Sequence, residues 1–551
     1  MRSVLSSAQR QAALDGVEGR TYDVVVIGGG VTGAGTALDA VSRGLSVLLV
    51  EAADLASGTS SRSGKIFHGG LRYLEQLNFR LVREALVERD LMVQKLCPYL
   101  VEPVPFLIPF THRWERPYIG AGVALYDLLR LTGPRSVRGH RHLTRRAALR
   151  EMPDLRPDIT GAAQYYDVRV DDARHTLQVA RTAAGLGATV LTRTPVVAVL
   201  RSDGVVSGVR IRDEESDRTY EVRARVVINA AGVWADRVQA LAGEQSIDVT
   251  PAKGIHLMVP GDRIRSRTGL VARTPDSVFI IRRWFDSWLL GTTDTRWEYD
   301  RSAPVATQAD VDYLLGHANR WLRRPLSRAD LAGIFAGLRP LVSGRGSSST
   351  AALRRDHAVI EGPPGMVTIV GGKYTTYRLM ARDVVNVATP RPVPPSPTGD
   401  LPLLGAAGFS ALRNQRESLA RESGLPLARI DHLLGRYGTE TPALLDLVAD
   451  RPSWGKPLVG DYLAAEVAYA VLNEGALHLD DVLLRRTRAA LENSDRALSA
   501  APAVADLMGG LLGWNDQRRK EELERYRLWA ESEDAASRAP DDAAAVTAVR
   551  P

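Results

Sequence analysis

Three glycines and one acid give the first sign of chemistry in this chain. Gly28, Gly30 and Gly33 form GxGxxG, and Glu51 follows Gly33 by eighteen residues. Glycine lets the chain bend there, and lets backbone approach a pyrophosphate near a helix N-terminus. A carboxylate placed like Glu51 can accept hydrogen bonds from an adenosine ribose. Three glycines alone would also suit an ordinary turn, so the register decides. DVVVIG precedes them, TALDAVSRG follows, and SVLLVE ends on the acid. Strand, turn, helix, strand and acid stand in the order that holds a dinucleotide.

The stretch GTSSRSGKIFHGGLRYLE, Gly58 to Glu75, bears on which dinucleotide. Nicotinamide enzymes usually proceed to another strand–helix unit, whereas here a long loop of donors intervenes. Thr59, Ser60, Ser61, Lys65, His68 and the Gly69 backbone are the donors that a buried FAD needs along its pyrophosphate and beside its ring. VVINAAGVWAD adds a second marker, a core strand ending at Ala230-Ala231-Gly232 where it would close on the cofactor. A simple strand-to-helix turn is the other reading of that segment. Together the two stretches favour FAD.

These residues need elements to carry them. Leu81 to Leu96 reads as an amphipathic helix stopped before Pro98, and LTRTPVVAVLRSDGVVSGVRIRDEESDRTYEVRARVVINAAG as a three-stranded meander turning at Asp-Gly. SVFIIRRWFDSWLLGTTD reads as a hairpin, and MVTIVGGKYTTYRLMARDVVNVA changes from strand to helix at Gly371-Gly372. Residues 389–402 form a proline-rich linker. Residues 403–530 carry a helical pattern, and 531–551, rich in Ala, Asp and Arg, are expected to be a disordered tail.

At 551 residues the chain should fold as two or three domains. A net charge of +7 with acids nearly matching bases argues against a dedicated nucleic-acid binder. The single Cys97 excludes an internal disulfide framework, and the ten histidines show no metal-ligand spacing. A reducing, cytosolic setting follows as the default. No apolar run reaches the roughly 18 residues of a spanning helix. From Arg113 to Arg150, however, nine arginines face two acids around the apolar YIGAGVALYDLLRL. That pattern suits an interfacial helix on an anionic leaflet, or equally a buried helix with a basic loop.

The stretch GGGVTGAGTALDAVSRGLSVLLVEAADLASGTSSRSGKIFHGGLRYLE resembles the N-terminal region of the FAD-dependent glycerol-3-phosphate dehydrogenases. The resemblance continues in order through VDDARHTLQVA, NAAGVWAD, KGIHLMVP, LLGTTDT, AGLRPL, RRDH and GGKYTTYR, covering residues 20 to about 390 closely. Gly64 departs from it, since the family generally has serine there. One side-chain donor is lost, and the flanking Ser63 and Lys65 are expected to remain.

The resemblance implies an α/β fold: a Rossmann-like FAD-binding domain interleaved with an antiparallel-sheet substrate domain over residues 20–388, then the helical C-terminal domain. It implies oxidation of sn-glycerol 3-phosphate to dihydroxyacetone phosphate, hydride transfer to flavin N5, and electrons passed to a membrane quinone. Such enzymes are typically peripheral membrane proteins, which sets the inner face of the cell membrane as the expected location; a homodimer is carried as an open expectation. The phosphate and alkoxide ligands implied are Arg72, Arg339, Arg355 and Lys373, with Tyr73 beside them. Arginine's fork matches phosphate oxygens in pairs, and lysine supplies a point charge. His256 has the right intrinsic pKa for the base, while Arg339 could lower the alcohol's pKa; the sequence does not divide the work between them. His68, Gly372 and Thr375 are assigned to the flavin environment, and Asp294 to a structural or flavin-side role. The rivals are an oxygen-reducing glycerol-3-phosphate oxidase, disfavoured because no insertion occurs between Gly346 and Gly371; an amine or amino-acid oxidase; and a non-catalytic flavin-containing scaffold.

Overall fold

Val24, Val25, Val26 and Ile27 are buried on both faces of a central strand, Thr21–Ile27, as an uninterrupted apolar run should be. In the computed structural model, which describes residues 4–75, 77–130, 136–243, 246–274, 278–342, 357–389 and 393–549, this strand is the middle of a parallel sheet. Val47–Val50 and then Thr189–Leu191 lie on one side of it. Thr219–Asn229 and then Met366–Gly371 lie on the other. The last of these strands arrives more than 300 residues after the first, so the domain is assembled from both ends of the region. Helix Val31–Ser42 packs against helices Asp172–Gly185 and Tyr377–Ala388. Gly33 makes the turn possible: a Cβ there would sit 1.8 Å from the Gly28 carbonyl oxygen.

The meander forms as Val196–Ser202, Val205–Arg212 and Thr219–Asn229. Asp203 and Gly204 both take positive φ (52° and 81°), the geometry that a two-residue hairpin turn demands. The expected hairpin forms as Val278–Trp284 and Ser287–Gly291.

A second, ten-stranded sheet, largely antiparallel, holds the substrate side. Its strand Val249–Pro260, near one edge, pairs with Gly333–Val342 on one side and Ser287–Gly291 on the other. The fold is thus a Rossmann-like unit interleaved with an antiparallel sheet, followed by helices from Phe409 onward. Buried ion pairs join that helical part to the first: Arg174 to Glu474 at 2.7 Å, Arg181 to Glu440 at 2.7 Å, and Arg486 to Asp54 at 2.6 Å.

Residues 531–549 correct the expectation of a disordered tail. One helix runs from Asp516 through Arg538, and a second spans Asp542–Val549. Ala536 and Ala545 are fully buried against Trp297, Val305 and Leu338. Asp542 reaches the buried Lys253, which also bonds Asp310 at 2.5 Å. A buried ammonium needs a carboxylate, and small side chains let the helix come close; neither reason is local to the tail.

Segment 118–130 also differs from a buried helix. Glu115–Leu129 is helical, but Trp114, Tyr118 and Leu128 are 64%, 53% and 58% exposed. Among the described residues no helix is long and apolar enough to cross a membrane.

Candidate active site

A cavity of about 880 Å³ runs between the two sheets, at the large end of ligand-sized clefts. Gly28, Gly30 and Glu51 line one region of it, and His68, Tyr73, His256, Arg339, Gly372 and Lys373 line it elsewhere. Thr59, Ser60 and Gly232 complete the expected lining residues.

Close packing and backbone hydrogen bonds shape the dinucleotide end. Gly28 holds φ +112°, and a Cβ on it would meet the Ala230 carbonyl at 2.6 Å. Glu51 accepts the Gly29 N–H at 2.5 Å and the Ala53 N–H at 2.9 Å. Burial pushes its carboxyl above the ordinary range, and those two N–H groups oppose the shift. Ser60 Oγ accepts the Val31 N–H at 2.9 Å at the start of the helix, and Thr59 donates to the Leu338 carbonyl at 2.6 Å. These hydroxyls tie the donor loop to the helix Val31–Ser42 and to the strand Gly333–Val342 of the second sheet.

The reacting end comes from four segments, which carry Arg339, His256, Lys373 and Tyr73. On Gly333–Val342, Phe335, Gly337 and Arg339 share a face, opposite His256, Gly254 and Ala252 of the neighbouring strand. Arg339 donates to Asp294 Oδ1 at 3.1 Å, to the Thr293 carbonyl at 3.0 Å and to Thr292 Oγ1 at 3.1 Å. Asp294 therefore acts on the guanidinium and does not line the cavity. His256 stacks on Phe335 with centroids 5.0 Å apart, 4% exposed, and among the described residues its Nδ1 has no hydrogen-bond partner. Burial, then the charges of Arg282, Arg339 and Lys65, hold its pKa well below the ordinary histidine value. The imidazole is neutral at physiological pH, the form that can accept a proton. Lys373 Nζ lies 3.4 Å from the centroid of the Tyr73 ring.

Several expected residues sit elsewhere. Lys65 does not line the cavity: its ammonium bonds Asp172 at 2.6 Å and the Ser61 carbonyl at 2.7 Å, because a buried cation takes the carboxylate nearest to hand. Ser63 Oγ donates to the same Asp172 at 2.7 Å, so both donors expected to stand in for the missing serine are committed. Ser61 donates weakly to the Gly58 carbonyl, Gly69 gives its N–H to Tyr126, and Gly33 belongs to the turn's packing. Thr375 fixes the loop by accepting the His68 N–H at 3.1 Å. Arg72 lies in the short helix Arg72–Glu75. Arg355, and residues 346–356 of the segment expected to lack an insertion, lie outside the described residues.

Comparison with known proteins decides what this arrangement is. The FAD dependent oxidoreductase family profile matches residues 23–378, and the profile for the C-terminal domain of alpha-glycerophosphate oxidase matches 396–519. A glycerol-3-phosphate dehydrogenase of Mycobacterium leprae (strain TN) is 50% identical over 551 residues, covering 98% of this chain and 94% of its own. This chain belongs to the FAD-dependent glycerol-3-phosphate dehydrogenase family. The mitochondrial glycerol-3-phosphate dehydrogenase of Bos taurus is 36% identical over 92% of this chain and 72% of its own. A glycerol-3-phosphate dehydrogenase of Bacillus halodurans, solved in complex with FAD, superposes with a TM-score of 0.77 at 27% identity, covering 96% and 97% of the two chains.

FAD is the cofactor, and the glycine cradle and Glu51 of this chain fit it. The structure adds lining residues that sequence reasoning missed for this dehydrogenase-family chain. Asp480, Arg485, Arg525, Tyr526 and Trp529 of the C-terminal helices wall the same cavity. No local pattern marks them, since their role depends on docking. Gly254 and Gly291 did leave a signal in KGIH and LLGTTD. A Cβ at Gly254 would meet Arg339 Nη2 at 2.5 Å, and one at Gly291 would meet His256 at 2.3 Å.

Proposed function

We propose that this enzyme oxidises sn-glycerol 3-phosphate to dihydroxyacetone phosphate and passes the electrons to a membrane quinone. One observation carries the substrate assignment: Arg339, Lys373, Tyr73 and a neutral His256 line the same cavity as the dinucleotide turn. A small phosphorylated alcohol needs cations for its phosphate, a group beside its hydroxyl, and an acceptor within reach. Bound FAD supplies the acceptor for the hydride leaving C2. Arg339, held by Asp294 and the Thr293 carbonyl, stabilises negative charge growing on the C2 oxygen. His256 takes the hydroxyl proton on an imidazole nitrogen. Lys373, over the Tyr73 ring, holds phosphate as a point charge.

The acceptor assignment draws on the surface. Trp114, Tyr118 and Leu128 form an exposed apolar stripe on Glu115–Leu129, with Leu77 73% exposed just beyond Arg72–Glu75. Apolar and aromatic side chains with arginines alongside suit the interface of an anionic leaflet, where a lipid-soluble quinone is met. The enzyme would then sit on the cytoplasmic face of the cell membrane.

Anaerobic glycerol 3-phosphate should bleach the yellow absorbance of the purified holoenzyme, and a short-chain ubiquinone or menaquinone should restore it. Stoichiometric hydrogen peroxide in air would assign oxygen as the acceptor instead. An unbleached flavin would remove the substrate.

A further inference from the structure

Arg282 is 2% exposed, on the hairpin strand Val278–Trp284. Among the described residues its Nε and Nη2 have no hydrogen-bond partner. An incompletely paired guanidinium in a protein interior is costly, and such groups recur where function repays them. The acid acting on it, Asp172, is already bonded to Lys65 at 2.6 Å and to Ser63 at 2.7 Å. Burial pulls Arg282 down to about 9, which still leaves it charged at neutral pH.

Its direction is set by strand register. His256 pairs with Gly291, and Gly291 pairs with Ile280, so these positions share one face of the sheet. Arg282, two residues beyond Ile280, points to that face as well. Its guanidinium ends at the cavity wall: a Cβ on Gly64 would lie 3.5 Å from Arg282 Nη2, and Gly64 lines the cavity. Glycine at 64 leaves only backbone between this cation and the cavity.

The neighbouring charges compensate it only in part. Lys65 is neutralised by Asp172, Arg339 by Asp294, and His256 is neutral. The pyrophosphate end belongs to Gly28 and Gly30, near Ser60 and Glu51. Gly64 lies further along the loop, where its neighbour is Arg282. A fixed cation behind backbone cannot follow a mobile substrate, but it can act through space on a ring that stays in one place.

We propose that Arg282 is an electrostatic positioning residue for the FAD ring, acting through the gap at Gly64 to favour the negative charge that the cofactor gains on reduction. This rests on FAD binding by the chain; a colourless parent protein would remove that premise, whereas the experiment below begins from yellow holoenzyme.

Sulfite adds reversibly to the flavin of many enzymes, and its affinity reports positive charge beside the ring. Holoenzymes of the parent, Arg282→Met and Arg282→Lys would be matched for FAD content and Tm, then titrated with sulfite. Glycerol 2-phosphate, a phosphate-bearing analogue, would be titrated in parallel. The sulfite Kd should rise at least tenfold in Arg282→Met and return to within threefold of the parent in Arg282→Lys, and the FAD midpoint potential should fall only in the methionine variant. Glycerol 2-phosphate binding should change less than threefold. Unchanged sulfite affinity in Arg282→Met overturns the proposal. So does selective loss of glycerol 2-phosphate binding, which would give the cation to the substrate phosphate. If Arg282→Met yields no folded holoenzyme, Gly64→Val decides. Its side chain fills the gap between the guanidinium and the cavity, since a Cβ there already stands in contact with Arg282 Nη2 at 3.5 Å, and a sulfite affinity equal to the parent's would overturn the inference.

Discussion

Asp294 Oδ1 accepts a hydrogen bond from Arg339 Nη1 at 3.1 Å, while the Thr293 carbonyl takes Nη2 at 3.0 Å. The guanidinium is thereby fixed in plane before substrate arrives. Asp294→Ala removes one of these anchors without touching the cavity wall. The expected result is a kcat/KM for glycerol 3-phosphate lowered by about 10–100-fold, on the scale of a lost charge-assisted hydrogen bond of about 1.5–3 kcal/mol. FAD stoichiometry should not change. Steady-state kinetics with absorbance at the flavin band provide the check.

His256 should govern the acidic limb of flavin reduction. Its folded pKa lies well below the ordinary value of about 6.5, because burial and three cations disfavour the imidazolium. The neutral, proton-accepting form therefore persists as pH falls, and the limb for the free enzyme should appear below pH 6.5. His256→Gln should lower the rate of reduction by about 10²–10⁴-fold and abolish that limb. A stopped-flow pH profile with the limb unmoved in the variant would give the proton to another group.

His175 makes a prediction about stability. It is fully buried, bonded through Nδ1 to the Tyr374 hydroxyl at 3.0 Å, and burial lowers it to about 3. Below pH 6.5 the unfolded chain binds a proton that the folded chain refuses, so stability falls as pH drops from 6.5 towards 3. The slope is about 1.4 kcal/mol per pH unit from this residue. His175→Gln should be less stable at pH 7 yet lose less on acidification. Denaturant midpoints measured at pH 7 and pH 5 test both signs.

The exposed stripe predicts membrane partition. Trp114→Ser with Leu128→Ser should release the protein from vesicles containing anionic lipid, and high salt should weaken binding of the parent. Activity with a soluble short-chain quinone should be unaffected by the pair. Equal co-sedimentation of parent and variant would place the contact elsewhere.

Ending the chain after Ala530 should destabilise it. The cut removes Ala536 and Ala545 from the cluster with Trp297 and removes Asp542 from Lys253, leaving Asp310 as the other carboxylate. A loss of about 1–3 kcal/mol is expected, the scale of one unmet buried polar partner. An unchanged Tm would mean that the last helices pack without consequence.

What sequence reading captured was local. The Gly28–Gly33 turn, the Asp203-Gly204 hairpin and Glu51 at a strand end depend on neighbours a few residues away. Arg339 and His256 needed the family's motifs, because an arginine on a strand looks the same whether it faces solvent or substrate. The errors share a cause. Lys65 and Ser63 read as available donors from sequence, and Ser63 does line the cavity, yet both side chains are held by Asp172 more than 100 residues along. From sequence the tail reads as disordered because its composition of Ala, Asp and Arg carries no strong period; its order comes from Trp297, Val305 and Lys253.

Arg525 and Trp529 wall the compartment whose glycine turn begins at Gly28. During synthesis, the linker and the helices up to Trp529 emerge after the catalytic region is complete. At about 5–20 residues per second those 140 or so residues take roughly 7–28 seconds. Through that interval a nascent polypeptide has a nucleotide turn but an unfinished enclosure, so lasting retention of flavin belongs to the nearly finished translation product.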